Sequence, residues 1–307
     1  MRVAFFGTPA PAVPALTALL DDRRIDVPLV VTNPDRPRGR GHALAAPPVK
    51  EAAARAGVPV AQPTRAVEVL DRLAGLAVDA CAVVAFGQLL PKRLLAVPAH
   101  GFVNLHFSLL PAWRGAAPVP ATILHGDRQT GVTCFLLDEG MDTGPVLATR
   151  SAQVGPTETA GELVERLAAI GAPLLADAVV GLVDGTLTPV PQDHAAATYA
   201  PKITPDDAVI DWSATAEHVE RQVRAYQPVP GAHTTFGSGR LKIHAARIVP
   251  GSGQPGRVVA IDERTGAPVV ACGREALRLD EVQPAGRRRM SGAAFANGYQ
   301  PRGELLG

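Results

Sequence analysis

The sequence predicts an α/β fold, with a Rossmann-like, doubly wound, mostly parallel sheet followed by a small β-barrel. Three observations carry this. Through the first two thirds, short continuous apolar runs alternate with stretches of helical spacing, as in parallel strands buried on both faces. After Gly185 the pattern yields to a segment holding Pro189, Pro191, Pro201 and Pro205, which suits an extended linker. Beyond it come one helical stretch and five short strand candidates between Gly, Pro, Ser and Asp turns, as in a barrel or sandwich.

Each element has its own reason. Arg2–Phe6 is an apolar run closed by Gly7. Ala15–Leu20 ends a helix. Val27–Thr32 is apolar and β-branched, hence a strand. Glu51–Ala56 is helical and Val58–Ala61 a short strand. Val67–Leu73 spaces its apolar residues as a helix does. Ala80–Phe86 and Phe102–His106 are strands. Thr122–His125 ends a helix, and Gly131–Leu137 is strand-like. Thr159–Leu182 is a long helix with an interruption expected near Gly171 and Pro173. In the last third, Ala214–Tyr226 is a helix. The strand candidates are Gly231–Phe236, Leu241–Ala246, Arg257–Asp262, Pro268–Cys272 and Leu277–Val282. The 307 residues thus divide into 1–185, a linker 186–207, and 208–307, in line with roughly 150 residues per domain.

Composition excludes several classes. With 47% hydrophobic and 19% charged residues the chain has material for sizeable cores, and disorder is excluded. Its three cysteines, Cys81, Cys134 and Cys272, lie too far apart for a disulfide scaffold or a CxxC metal site, and reduced cytosol is the natural setting. The N-terminus lacks the apolar core of a signal peptide, and no stretch is expected to reach the roughly 20 apolar residues of a membrane span. There is no GxSxG, no Walker glycine loop and no HExxH, and GTPAPAVP lacks the dinucleotide-binding glycine spacing. Covalent, ATP, nicotinamide and catalytic zinc chemistry are therefore poorly supported.

The net charge of +1 hides an uneven distribution. Residues 1–100 carry 12 basic and 8 acidic side chains, residues 101–200 carry 4 and 10, and residues 201–307 carry 14 and 11. Arg36, Arg38, Arg40 and Lys50 form a cluster free of intervening acids. Taken alone, such a run reads as a solvated face.

Two segments can carry chemistry. In FVNLHFSLLPAWRG (102–115), Asn104 and His106 are two apart at a strand end, so both leave the same face. Ligands of open α/β sheets bind at the carboxyl ends of strands. An amide donor beside an imidazole can polarise a carbonyl and manage a proton. The plainer alternative is a strand-end hydrogen bonder beside a satisfied, half-buried histidine. In DEGMDTGPV (138–146), Asp142 can orient His106 or accept a proton from an amine, or the segment is simply a turn.

Taken together, NLHFSLLPAWRGAAPV (104–119) and DEGMDTGPV resemble the 10-formyltetrahydrofolate-dependent formyltransferases. The likeness extends to GTP after the first strand, NPDRPRGRG (33–41), PPVK (47–50), AFGQLLP (85–91) and TYAPKITPDDAVIDW (198–212). The Arg-rich loop and the last of these resemble the branch of the family that acts on initiator methionyl-tRNA. The resemblance implies a catalytic trio of Asn104, His106 and Asp142. It also implies a folate contact at Ser108, Leu109, Leu110 and Pro111, and tRNA contacts from the loop with Arg36, Arg38 and Arg40 and from Lys202 in the linker. It implies an OB-like barrel, a 10-formyltetrahydrofolate co-substrate, no metal, and a cytoplasmic monomer without membrane attachment. Its small-amine branch, with substrates such as an amino sugar nucleotide, is the alternative. Phe107, the Pro205–Asp207 stretch, and the absence of a tryptophan after Tyr226 depart from the family's usual pattern.

Overall fold

A computed structural model describes residues 1–38 and 43–307. The chain forms two compact units, the first built from residues 1–118, 129–153 and 164–200, the second from 119–128, 154–163 and 201–307.

The first unit is a seven-stranded sheet with flanking helices. In chain order its strands are β1 (Val3–Gly7), β2 (Val30–Val31), the hairpin β3 (Arg36–Arg38) and β4 (Ala43–Ala45), β5 (Val60–Ala61), β6 (Ala80–Val84), β7 (Phe102–His106), β8 (Arg114–Gly115), β9 (Gln129–Leu136), β10 (Val146–Gln153) and β11 (Tyr199–Ala200). The order across the main sheet is β10-β9-β7-β6-β1-β2-β5. The five strands from β7 to β5 run parallel, β9 runs antiparallel to β7, and β10 runs antiparallel to β9. The helices over the same span are α1 (Val13–Asp21), α2 (Pro48–Arg55), α3 (Leu70–Gly75), α4 (Lys92–Leu95), α5 (Pro118–His125) and α6 (Ala160–Val183). All of α5 but its first residue, and the first turn of α6, belong to the second unit. All residues of β1 and β6 are buried, as their unbroken apolar runs require. On one face Phe6 meets Phe86 and Phe102 edge-on at 5.4 and 5.3 Å.

Three local expectations are corrected. Val27–Thr32 pairs only through Val30 and Val31, because Pro28 lacks a donor for the ladder. β10 has no counterpart among the expected strands because it is a largely exposed edge of sequence VLATRSAQ, in which apolar continuity is absent. The helix near Gly171 and Pro173 is unbroken. Pro173 lies on the exposed face, as does Ala169, whose carbonyl loses its partner to the proline and is open to water. The start of α6 is fixed by a capping box: Thr159 N donates to Glu162 Oε2 (2.9 Å), and Glu162 N donates to Thr159 Oγ1 (3.3 Å).

The same helix overturns the expectation about membrane spans. Over 18 of its 24 residues the mean hydropathy is 1.7, so by length and composition it is apolar enough to cross a bilayer, its leucines, valines and alanines outweighing the few charges. Of those 18 residues 56% are buried within the protein, as in the core helix of an α/β unit.

The second unit centres on an antiparallel sheet. After α7 (Ala216–Ala225) come β12 (His233–Phe236), β13 (Gly239–Val249), β14 (Val258–Ile261), β15 (Pro268–Ala271), β16 (Ala276–Pro284) and β17 (Met290–Ser291), then α8 (Gly292–Tyr299). The order is β12-β13-β16-β15-β14, with β17 also on β16. Irregular register within β13 and at β14 curls the sheet into a barrel-like form around Trp212, Val223, Ile243, Leu279 and Phe295. Neither β17 nor α8 is among the elements expected from the sequence; α8 is a short helix of mostly small residues, marked by its Ser291 cap, which accepts from Ala294 N.

Candidate active site

The sheet register aligns the strand ends. Phe6 on β1, Val83 on β6 and Asn104 on β7 share one row. Two residues beyond this row lie Thr8, just past the end of β1, and His106, the last residue of β7. Asn104 and His106 leave one face of β7, as their spacing requires. His106 is buried, and the Phe135 ring stands edge-on behind it at 6.4 Å. Among the described residues no protein group hydrogen-bonds the Asn104 side-chain amide, so its donors are open to a ligand.

The imidazole has a fixed polarity. Its Nε2 lies 2.9 Å from the Trp113 carbonyl oxygen. A carbonyl only accepts, so Nε2 carries the hydrogen. Nδ1 is then the position that exchanges a proton, and it faces Asp142 Oδ2 at 3.7 Å. That oxygen accepts from Gly115 N at 2.7 Å. The three residues Trp113–Gly115 thus hold His106 from one side and Asp142 from the other. Asp142 sits at φ +55°, a region that Asp tolerates through its short polar side chain. Gly144 closes the same loop, and any Cβ there would overlap the Leu136 carbonyl oxygen.

Next to β7 the SLLP segment is tied down. Thr133 Oγ1 donates to Ser108 O (2.7 Å) and accepts from Leu110 N (3.0 Å), and Ser108 Oγ donates to Ala112 O (2.5 Å). The Ser108 hydroxyl is therefore engaged within its own turn. Leu109 and Pro111 are half-buried, and Leu110 is buried. A Lys92–Glu139 ion pair (2.6 Å) joins the segment after β6 to the Asp142 loop, and Leu89 and Met141 stand exposed nearby in sequence.

The basic residues are placed less fully. Arg36 is exposed on β3 and lines a cavity of about 240 Å³ with Thr8, Asn33 and Pro48. Arg38 lies on β3. Arg40 lies outside the described residues. Lys202 is exposed, and belongs to the second unit. The hairpin is rooted at Asp35, whose carboxylate takes Lys50 Nζ at 2.7 and 2.9 Å and Gln62 Nε2 at 2.7 Å. These bonds hold the Asp35 carboxyl below its usual range, Lys50 contributing most.

Five contributors give no signal in the sequence: the Trp113 carbonyl, the Gly115 amide, Thr133, Arg114 and Gln192. The first two are backbone groups, which no side-chain pattern marks. Gln192 sits in the proline-rich stretch 186–207, where polar residues read as solvated. Instead residues 190–200 form a strap: Val190 exchanges two backbone hydrogen bonds with Val146, and β11 pairs with β8.

Comparison with known proteins supplies the family. The formyl transferase model matches residues 1–179, and the formyl transferase C-terminal domain model matches residues 202–300. The chain belongs to the formyl transferase family. Among its relatives, the methionyl-tRNA formyltransferase of Frankia alni is 49% identical over 97% of this chain and 91% of its own length. That of Streptomyces griseus subsp. griseus is 49% identical over the full length of both. Solved formyl transferase folds are similar in shape at low identity. The sugar 3N-formyl transferase WlaRD, crystallised with dTDP and 5-N-formyl-THF, has a TM-score of 0.65 at 16% identity, covering 94% of this chain and 99% of that one. HypX from Aquifex aeolicus, in complex with tetrahydrofolic acid, has a TM-score of 0.64 at 16% identity, covering 96% of this chain and 47% of that one. Among the described residues no cluster of His, Cys, Asp and Glu is arranged to hold a metal ion.

Proposed function

We propose that this formyl transferase moves the formyl group of 10-formyltetrahydrofolate to the α-amine of initiator methionyl-tRNA, with Asn104, His106 and Asp142 as its reacting groups. The observation that carries the substrate is the end-to-end match, second unit included, to methionyl-tRNA formyltransferases at 49% identity.

The folate supplies an acyl donor at N10. The neutral amine attacks the formyl carbon, the bond from that carbon to N10 breaks, the amine nitrogen loses one proton and N10 gains one. Negative charge grows on the formyl oxygen during attack. The Asn104 amide, without a protein partner among the described residues, is a ready donor to that oxygen. His106 adds a second donor when Nδ1 is protonated, and Asp142 at 3.7 Å stabilises the imidazolium. As the intermediate collapses the Nδ1 proton passes to N10, and the neutral ring then takes up the amine's proton at Nδ1, because Nε2 is committed to Trp113. Leu109 and Pro111 offer the half-buried surface beside β7 for the folate.

The tRNA reading also draws on charge. Arg36 opens onto a cavity that Thr8, just past the end of β1, also lines. From Arg221 onward there are 13 basic and 6 acidic residues, suited to phosphate contacts along an acceptor stem. On this reading Arg36, Arg38, Arg40 and Lys202 bear on the tRNA, and the enzyme works as a monomer in the cytoplasm.

The test is formyl transfer from 10-formyltetrahydrofolate to charged initiator tRNA, beside parallel reactions with amino sugar nucleotides. Turnover with the tRNA alone is the expected result. Turnover with the sugar nucleotides alone overturns the substrate and retains the chemistry.

A further inference from the structure

Arg114 is a buried cation. It is 1% exposed, and among the described residues no carboxylate lies within ion-pair distance of it. A guanidinium in such a place is costly unless its donors are well used. They converge on one side chain above all. Arg114 Nη2 and Nε donate to Gln192 Oε1 at 2.6 and 3.2 Å, and Nη2 also donates to His194 Nδ1 at 3.1 Å. Gln192, itself only 8% exposed, then uses its amide nitrogen twice, donating to Asp142 O at 2.9 Å and Gly144 O at 2.7 Å.

The chain of contacts closes on the reacting groups. Trp113, just before Arg114, takes the His106 Nε2 hydrogen, and Gly115, just after it, donates to Asp142 Oδ2. Asp142 is held in a left-handed conformation in a loop of polar and glycine residues, and Gln192 bonds the carbonyls of Asp142 and Gly144. The guanidinium fixes which end of the Gln192 amide faces the loop: the oxygen is turned to Arg114, so the nitrogen must face the carbonyls.

We propose that Arg114 and Gln192 are a positioning pair, through which the strap 190–200 sets the Asp142 carboxylate at its working distance from His106. The proposal rests on the reading of His106 and Asp142 as reacting groups. On this proposal the pair acts through the backbone of the Asp142 loop.

Gln192→Glu separates the two halves of this contact. A carboxylate still accepts from Arg114 but has no hydrogen to give the two carbonyls. The loop is released while the buried cation gains a partner. The test is a double-mutant cycle on the full-length enzyme with formyl transfer as readout, combining Gln192→Glu with Asp142→Asn. A displacement of about 1 Å at a reacting group costs on the order of a hundredfold. Gln192→Glu is expected to lower kcat at least about tenfold, with KM for the folate within about twofold. In the Asp142→Asn background the same change is expected to cost less than about twofold, because there is no carboxylate left to position.

An equal loss in both backgrounds makes Gln192 a general support of the fold and overturns the proposal. So does a normal kcat in Gln192→Glu while Asp142→Asn is inactive. A normal kcat in Asp142→Asn itself overturns the catalytic reading, and the proposal with it. Should Gln192→Glu fail to fold, Gln192→Met, of similar volume and without donors, and Arg114→Lys carry the same cycle.

Discussion

Oδ2 of Asp142 stands 3.7 Å from Nδ1 of His106, beyond hydrogen-bond length and within reach of a charge. The carboxylate thus faces the ring as a charge and not as a hydrogen-bond partner. Asp142→Asn keeps the shape and the Gly115 contact but deletes the charge. Formyl transfer measured in single turnover is expected to slow by about 10² to 10⁴. The thermal midpoint should stay close to that of the wild type, because the side chain is 17% exposed and its loop keeps the Gln192 bonds. A rate within about threefold of the wild type counts against the role.

Asn104 makes a different demand. Its amide lacks an internal partner among the described residues, so replacing it leaves no orphaned donor or acceptor there. Asn104→Ala should therefore be almost neutral for stability, while kcat falls by about 10² to 10³, the usual cost of one oxyanion donor. Chemical denaturation together with steady-state kinetics checks both halves. A variant that loses stability and keeps its kcat identifies Asn104 as a strand-end support instead.

Asn104 and His106 are legible in the sequence because period-two alternation at a strand end is a local rule, and β7 ends where that rule places it. Asp142 is legible only as a loop residue between glycines. What joins it to His106 is supplied from far along the chain: an amide at 115 and a glutamine at 192. The same division holds for the fold. Buried strands such as β1 and β6 announce themselves by continuous apolar runs, whereas β10 is an exposed edge whose partner, β9, supplies its reason to be a strand. Tertiary hydrogen bonds made by backbone and by polar side chains leave no period in the sequence.

Gly171 links the longest helix to β7. A Cβ at this position would lie 2.7 and 2.8 Å from the two methyl carbons of Leu105, the residue between Asn104 and His106. Gly171→Val forces α6 away or turns Leu105 out of its rotamer, at a cost of about 1 to 3 kcal/mol for overpacking. The expected result is a lower thermal midpoint together with a reduced kcat, since β7 carries the side chains proposed to react. Gly171→Val combined with Leu105→Ala should recover part of the stability. Independent, additive losses would show that the two positions are not coupled through close packing.

The hairpin root at Asp35 and Lys50 gives a prediction about tRNA. Lys50→Ala frees Asp35 and leaves its carboxylate near Arg36, opposing the positive cluster. KM for tRNA is expected to rise with kcat little changed, and KM for the folate should hold. Arg36→Ala and Arg40→Ala should each raise KM for tRNA. Each phosphate left without its cation should lower the log–log salt slope by roughly 0.7 to 0.9. A KM for tRNA that is insensitive to salt in the wild type would rule out the phosphate contacts altogether.

The second unit carries a pH-sensitive histidine. Gln227 Nε2 lies 3.0 Å from His244 Nδ1, and His244 Nε2 lies 3.1 Å from Gln283 Oε1. The glutamine nitrogen donates and the other glutamine oxygen accepts, so both bonds suit the neutral ring with its hydrogen on Nε2. Burial holds the His244 pKa below its ordinary value, the Gln283 bond opposing and the nearby Arg289 adding to the depression. A depressed folded-state pKa means that the unfolded chain takes up the proton first as pH falls. The stabilisation is therefore complete above about pH 6.5 and is lost progressively below it. His244→Gln removes the titration and keeps an amide able to accept from Gln227 and donate to Gln283. Between about pH 7.5 and 5.5, a window that brackets the ordinary histidine pKa, the wild-type thermal midpoint should fall further than that of the variant. Equal falls in the two proteins would show that His244 stays neutral throughout, or that it titrates alike in the folded and unfolded chains.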